Sequence, residues 1–206
     1  MITIVSPEKI HLSPGTVVRS PGTWEDYQIL LEKRRKSLPR IKYRQGEILL
    51  MSPLPQHGRQ AHIIAVIITI LLDYLGQNYD TFTPMTMDLP KVSGIEPDYS
   101  FYIDNWQFAV GKNRINWSIE PPPDLVLEID VTSYTDVNDY LPYQVSEVWI
   151  YKQNKLRIYA FNNNSYILVS SSRYFPQINL QEIINEFLEI VSDRPCRYAI
   201  IKKTFS

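Results

Sequence analysis

From Gln60 to Gly76 the hydrophobic residues run almost without a break: Ala61, Ile63, Ile64, Ala65, Val66, Ile67, Ile68, Ile70, Leu71, Leu72 and Leu75. Their β-branching would suit a strand. The length of the run and the glycine that ends it instead predict a helix capped at Gly76. It is shorter than the roughly twenty apolar residues a bilayer span needs, so the expectation is a buried helix and no membrane association. Upstream, Trp24, Tyr27, Leu30 and Leu31 share one helical face, Thr23 and Asp26 form a capping-box pattern at its start, and the helix ends before Pro39. Residues 41–51 alternate as a hairpin with Gly46 near its turn. Residues 81–89 read as a strand, 90–95 as a turn and 135–143 as a helix weakened by Pro142. Three further strands, around 148–151, 156–161 and 166–169, form a meander with Gln153-Asn154 and Asn162-Asn163-Asn164 in its turns. Leu180, Ile183, Ile184, Phe187, Leu188 and Val191 space an amphipathic helix.

Two stretches break the pattern. Residues 96–103, Glu-Pro-Asp-Tyr-Ser-Phe-Tyr-Ile, and 123–130, Pro-Asp-Leu-Val-Leu-Glu-Ile-Asp, carry acids inside apolar runs where buried strands are expected. An ionised carboxylate in a core costs several kcal/mol unless it is paired, hydrogen-bonded or bound to metal. Side chains alternate along a strand, so Glu128 and Asp130 point one way and Leu127 and Ile129 the other. If the strand of Asp98 pairs beside this one, the oxygens of Asp98, Glu128 and Asp130 can converge on a divalent cation. An Asp that follows a proline is also a common turn former.

Composition narrows the class. With 206 residues, 44% hydrophobic and 21% charged, the chain has the size and balance of one globular domain, placed at 23–192 between an N-terminal arm (1–22) and a basic tail (193–206). Cys196 is the only cysteine, which excludes an internal disulfide framework and fits a reducing cytoplasm. The first residues lack the pattern of a secretory signal, so a cytoplasmic location is expected. A net charge of −1 leaves any attraction to phosphate local. The candidate patch is the acid-free run holding Lys33, Arg34, Arg35, Lys36, Arg40, Lys42 and Arg44, which reads either as a solvated face or as a nucleic-acid contact through Arg34, Arg35, Lys36, Arg40, Lys42 and Arg44. His57 and His62 lie near the start of the apolar helix, as capping or core-edge histidines or as anion contacts. Residues 104–122 form a long connection with Trp106, Phe108 and Trp117, of the kind that covers a site or a partner surface. The amount of apolar surface also leads us to expect a homodimer.

The order of these features, a Gly-Glu hairpin, Met-Ser-Pro, a His before a long apolar helix, Glu-Pro-Asp, a long loop, Pro-Asp-Leu-Val-Leu-Glu-Ile-Asp and a strand around Glu-Val-Trp-Ile, resembles the Uma-type restriction endonuclease family of the PD-(D/E)XK nuclease superfamily, over roughly residues 23–190. The resemblance implies an α/β, restriction-endonuclease-like mixed sheet flanked by helices, here with an added N-terminal helix and hairpin and a C-terminal meander plus helix. It implies Mg²⁺- or Mn²⁺-dependent hydrolysis of DNA, with Asp98 and Glu128 as metal ligands, the backbone oxygen of Ile129 as a further ligand, and His57 in the place of the family's histidine. The superfamily also places a lysine two residues after the glutamate or on the following helix. Here Asp130 takes the first place, Asp136 takes the second, and residues 135–143 contain no lysine or arginine. Asp130 could add a third ligand and recruit a second metal, or Lys91, Lys152, Lys155 or Arg157 could supply the charge from elsewhere. The alternative is a nuclease-fold module without catalysis that binds nucleic acid or a protein.

Overall fold

The computed structural model describes residues 12–34, 40–131, 135–189 and 202. Eleven strands run through these residues: β1 (Val17–Pro21), β2 (Arg40–Arg44), β3 (Glu47–Met51), β4 (Asp80–Phe82), β5 (Met87–Leu89), β6 (Ser93–Ile95), β7 (Tyr99–Tyr102), β8 (Leu125–Ile129), β9 (Glu147–Lys152), β10 (Lys155–Asn162) and β11 (Ser165–Val169). The helices are α1 (Trp24–Glu32), α2 (Pro55–Tyr74), the short α3 (Trp106–Ala109) and α4 (Leu180–Glu189), with a 3₁₀ turn at Val137–Tyr140.

The expected α/β class holds, and the strands separate into two sheets. One is ordered β1-β3-β2-β6-β5 and the other β11-β10-β9-β8-β7-β4. The second is mixed, because β8 runs parallel to β9 while its other pairs are antiparallel. Three of the tight hairpins share one device. Gln45-Gly46, Gln153-Asn154 and Asn163-Asn164 all adopt positive φ, the two-residue turn whose twist matches that of the flanking strands.

The helices form where local signals agree. Thr23 and Asp26 make the reciprocal capping box on α1. Helix α2 begins earlier than its apolar run, at Pro55, whose fixed φ suits a first turn, and so takes in His57. It ends in a Schellman motif: Gly76 at φ +66°, its amide on Asp73 O at 3.1 Å and the Gln77 amide on Leu72 O at 3.0 Å.

Alternation along each strand then builds the layers. Leu125, Leu127 and Ile129 of β8 and Trp149 and Tyr151 of β9 pack with α2 and α4 on one face of the six-stranded sheet. Val126, Val148 and Ile150 pack with Met87, Ile95, Tyr140 and Tyr143 on the other. Ile41 and Tyr43 of β2 face α1 with Trp24, Tyr27 and Leu30. Tyr27 lies so close over Gly94 that a Cβ there would stand 2.3 Å from the phenol ring.

Several expected boundaries differ. The strand expected at 81–89 is broken at residues 83–86 into β4 and β5, which belong to different sheets. The turn at 90–95 contains β6, which completes the five-stranded sheet against β2. The helix at 135–143 is only the 3₁₀ turn 137–140, in line with Pro142 and with the Asp136 carboxylate that caps it through the Asn138 amide at 2.9 Å. Among the described residues no helix is long and apolar enough to cross a membrane.

Candidate active site between the two sheets

Antiparallel pairing of β7 with β8 sets Tyr99 opposite Leu127 and Ser100 opposite Val126. One step further along this register Asp98 stands opposite Glu128; Glu128 points away from the side that packs on α2 and α4, and Asp98, just ahead of β7, also reaches His57 at the start of α2. Both are almost wholly buried. The two acidic stretches do pair as neighbouring strands, and each acid has partners that explain its burial.

Asp98 Oδ2 accepts the Ile129 amide at 2.7 Å, and Arg40 bonds Oδ1. Nε2 of the buried His57 stands 3.2 Å from Oδ2, close enough for an ion pair but out of line for a well-formed hydrogen bond. Burial pushes the Asp98 carboxyl up, but His57, the Arg40 guanidinium and the Ile129 amide outweigh it and hold the pKa below the ordinary value. Glu128 Oε1 accepts from Lys42 Nζ at 3.0 Å and from Tyr140 OH at 2.6 Å. Here burial dominates, Lys42 opposes it, and the nearby Asp98 charge adds to it, so the carboxyl lies above its usual range. For Lys42 burial pulls the ammonium down, and Glu128, Asp139 and Asp98 together hold it above its ordinary value, so it stays charged.

The basic run of the sequence is thereby accounted for in part. Strand β2 has period two, so Ile41 and Tyr43 face α1 while Arg40, Lys42 and Arg44 face the acids. Arg44 bonds Asp136 at 2.8 Å and Asp139 at 2.7 Å, and Arg34 pairs with Glu96. Arg40, Lys42 and Arg44 make ion pairs because strand geometry turns alternate residues of β2 towards the acids, and Arg34, beyond the end of α1, pairs with Glu96 from outside the strand. Arg35 and Lys36 lie outside the described residues. The three-carboxylate convergence is not formed. Asp130 Oδ2 takes Lys152 Nζ at 3.2 Å and the Thr135 amide at 3.3 Å, and no group of three or more His, Cys, Asp or Glu side chains arranged to hold a metal exists among the described residues. Asp136, where the lysine of the superfamily pattern was sought, is Arg44's partner.

Other acids of the two motifs are structural. Asp124 accepts the Ile103 amide at 2.7 Å and the Asn105 amide at 3.0 Å, which fixes the chain leaving β7. Glu96 takes Thr86 Oγ1 at 3.1 Å. His62 lies away from the acids, 3.5 Å from Tyr99 OH. Sequence reasoning did not single out Tyr140 or place Lys42 at Glu128. The alternation Arg-Ile-Lys-Tyr-Arg carried the second signal, while nothing local marked the first.

Two spaces open beside these groups. A cleft of about 360 Å³ is lined by Arg19, Lys42, Arg44, Glu47, Asp136 and Asp139. A narrow recess of about 20 Å³ lies among Arg40, Lys42, Glu128, Ile129 and Asp130, room for one water-sized group.

With this arrangement in view, the sequence profile of the Uma2 family, described as "Putative restriction endonuclease", matches residues 24–190. The chain belongs to the Uma2 family. A crystal structure described as a putative nuclease belonging to DUF820, from Anabaena variabilis, has a similar fold at a TM-score of 0.56 and 15% identity, covering 82% of this chain and 99% of that one. A search of curated proteins found no match. The Uma2 match spans both acidic motifs and the β2–β3 hairpin that brings Arg40 and Lys42 to them.

The donors at the Uma2 site fit a hard divalent cation. Asp98 and Glu128 offer carboxylate oxygens on neighbouring strands, the arrangement of one or two carboxylates plus waters that Mg²⁺ takes. Glu128 borders the narrow recess, which leaves room for one small ion beside that carboxylate.

Proposed function

We propose that this Uma2 chain is a divalent-metal-dependent endonuclease that hydrolyses phosphodiester bonds of DNA. The observation that carries the reading is the buried pair Asp98 and Glu128 on adjacent antiparallel strands, with Lys42 3.0 Å from Glu128. Asp98 and Glu128 would hold Mg²⁺ or Mn²⁺. When bound, such an ion supplies positive charge at the phosphate and makes water a competent nucleophile at neutral pH.

The chain's own groups have separable tasks. Arg40, His57 and the Ile129 amide keep Asp98 ionised, so it remains a ligand in acid. Tyr140 donates to Glu128 Oε1 and restrains that carboxylate beside the recess. Lys42, charged and walled from bulk water, lies at the border of recess and cleft and presents its ammonium to a phosphate oxygen gaining charge in the transition state. It thus serves from β2 in the role that the sequence pattern leaves vacant near Glu128. Asp130 takes its own cation, Lys152, rather than binding the ion.

One observation favours a second reading: Asp98 Oδ1 and Glu128 Oε1 already face the cations Arg40 and Lys42, and Asp98 Oδ2 already accepts the Ile129 amide. In a nuclease-fold module without catalysis these ion pairs would be the end state, and nucleic acid or protein would bind outside them. Plasmid nicking with Mg²⁺ or Mn²⁺ separates the two. The nuclease reading expects cleavage in the parent chain and none in Glu128→Gln or Asp98→Asn of unchanged circular dichroism. Cleavage that persists in Glu128→Gln would overturn it.

A further inference from the structure

A second cleft, of about 330 Å³, lies between β4–β5 and the long 104–122 connection. Its volume falls in the range of roughly 300–1,000 Å³ usual for small-molecule sites. Phe82 and Trp117 give it aromatic walls, Lys112 and Arg114 a basic edge, and Asp88 an exposed carboxylate. Both rings are braced from behind. Phe82 stands edge-on to Tyr102 at 5.9 Å and Trp117 edge-on to Tyr143 at 6.5 Å, and Tyr143 is itself tied to Met87 O and Ser93 O. The cleft also shares a wall with the acids. Thr86, in its lining, donates to Glu96 Oε1 at 3.1 Å, and Thr83 in the same segment donates to the backbone oxygen of Asp98 at 2.7 Å.

We infer that this cleft takes one unpaired nucleobase of the substrate strand, with Trp117 and Phe82 as stacking surfaces and Asp88 as acceptor for an exocyclic amine. The inference rests on the nucleic-acid reading above and names the form of substrate it implies. Aromatic walls take a base only when it is out of the double-helical stack, so the site selects single-stranded or locally opened DNA. A carboxylate accepts from the amino group of cytosine and finds no amino donor on thymine. Arg114, exposed and without an acidic partner among the described residues, meets the adjoining phosphate, while Lys112 is tied to Glu120. The 83–86 segment, through Thr83 on the Asp98 backbone oxygen, links this cleft to the strand that carries Asp98.

The test is binding by the full chain in EDTA, where no cleavage occurs, read by fluorescence anisotropy of labelled oligo-dC and oligo-dT. Oligo-dC is expected to bind tighter than oligo-dT. Trp117→Ala should weaken binding about 5- to 150-fold, the effect of removing one stacked base. Trp117→Phe should retain most of it, and Asp88→Ala, which removes the acceptor, should erase the preference for oligo-dC. Because Trp117 is half-buried, the exposed Arg114→Ala provides the second variant that cannot fail by misfolding, and it too should weaken binding. Unchanged affinity in both Trp117→Ala and Arg114→Ala overturns the inference. So does a Trp117→Ala protein whose only change is a loss of self-association in sedimentation, which would assign the cleft to a second copy of the chain. Nicking is scored separately with Mg²⁺. Absent cleavage with base binding intact would sink the nuclease reading and leave the cleft standing.

Discussion

Replacing Lys42 by Met keeps the aliphatic stem and removes the ammonium from its largely buried contact with Glu128. Removing one partner of a buried ion pair costs about 3–5 kcal/mol, because the other charge is left without compensation. Glu128 then has one relief, a proton. Its folded pKa already lies above the ordinary value, and loss of Lys42, which pulls it down, raises it further. A group with a raised folded pKa supplies stability that is complete below its unfolded pKa and lost as pH rises through the folded one. The Met variant is therefore expected to approach the parent in urea unfolding near pH 5 and to fall furthest behind it near pH 8. Lys42→Met combined with Glu128→Gln should recover much of the loss, since no charge is then orphaned. In nicking assays at pH 8 the single variant should lose about 10²–10³-fold in rate, the effect of deleting one positioned donor to a charged transition state. A Lys42→Met protein equal to the parent in stability at pH 8 would refute the pairing, and one equal in nicking rate would refute the catalytic role.

Tyr140→Phe deletes the 2.6 Å bond to Glu128 and should cost about 1.5–3 kcal/mol in denaturant unfolding, with weaker Mn²⁺ binding by calorimetry; unchanged metal affinity would free Tyr140 of any role at the site. Gly94→Ala drives a Cβ to within 2.3 Å of the Tyr27 ring and is expected to lower stability by about 1–3 kcal/mol, measured as a shift in urea midpoint at constant m. Asp98 is held below its ordinary pKa, so the stability it supplies is present above that value and disappears as pH falls through the lower one; Asp98→Asn should flatten the acid limb of the unfolding curve and abolish nicking. The homodimer expected from the apolar surface should appear as a two-chain species in sedimentation at micromolar concentration, and a monomer alone would refute that expectation.

Much of the fold could be read locally because its strongest signals are local. Thr23 and Asp26 cap α1 within three residues, and Gly76 ends α2 within its own turn. Gln153-Asn154 and Asn163-Asn164 close their hairpins by their own φ values. The misread segments are those whose state is set by a partner distant in sequence. Residues 93–95 look like a turn until Tyr43 and Arg44 of β2 offer an edge to pair with, and 83–86 break a strand because Thr83 and Thr86 bond the Asp98 and Glu96 segment. Partners outside a stretch, some fifty residues away for 93–95 and ten to fifteen for 83–86, leave no periodic trace within it.

The site divides in the same way. Asp98 and Glu128 were legible because an acid inside an apolar run is an energetic contradiction that demands a partner. The partner was not legible, because a lysine at a fixed short spacing from Glu128 is only one means of bringing an ammonium to that carboxylate. Lys42 arrives from 86 residues upstream, and it can do so because β2 must place alternate residues on opposite faces: once Ile41 and Tyr43 are buried against α1, Arg40, Lys42 and Arg44 have no other direction to point. The burial of one side of a small hairpin thus dictates the electrostatics of the other. What the acids require is a cation within about 3 Å in a dry place, and chain position is free to vary as long as some strand delivers it. An absent motif lysine therefore says little about activity until the face of every neighbouring strand has been assigned, and here that assignment turns a row of basic residues that reads as a phosphate-binding surface into the counter-charge of the acidic site itself.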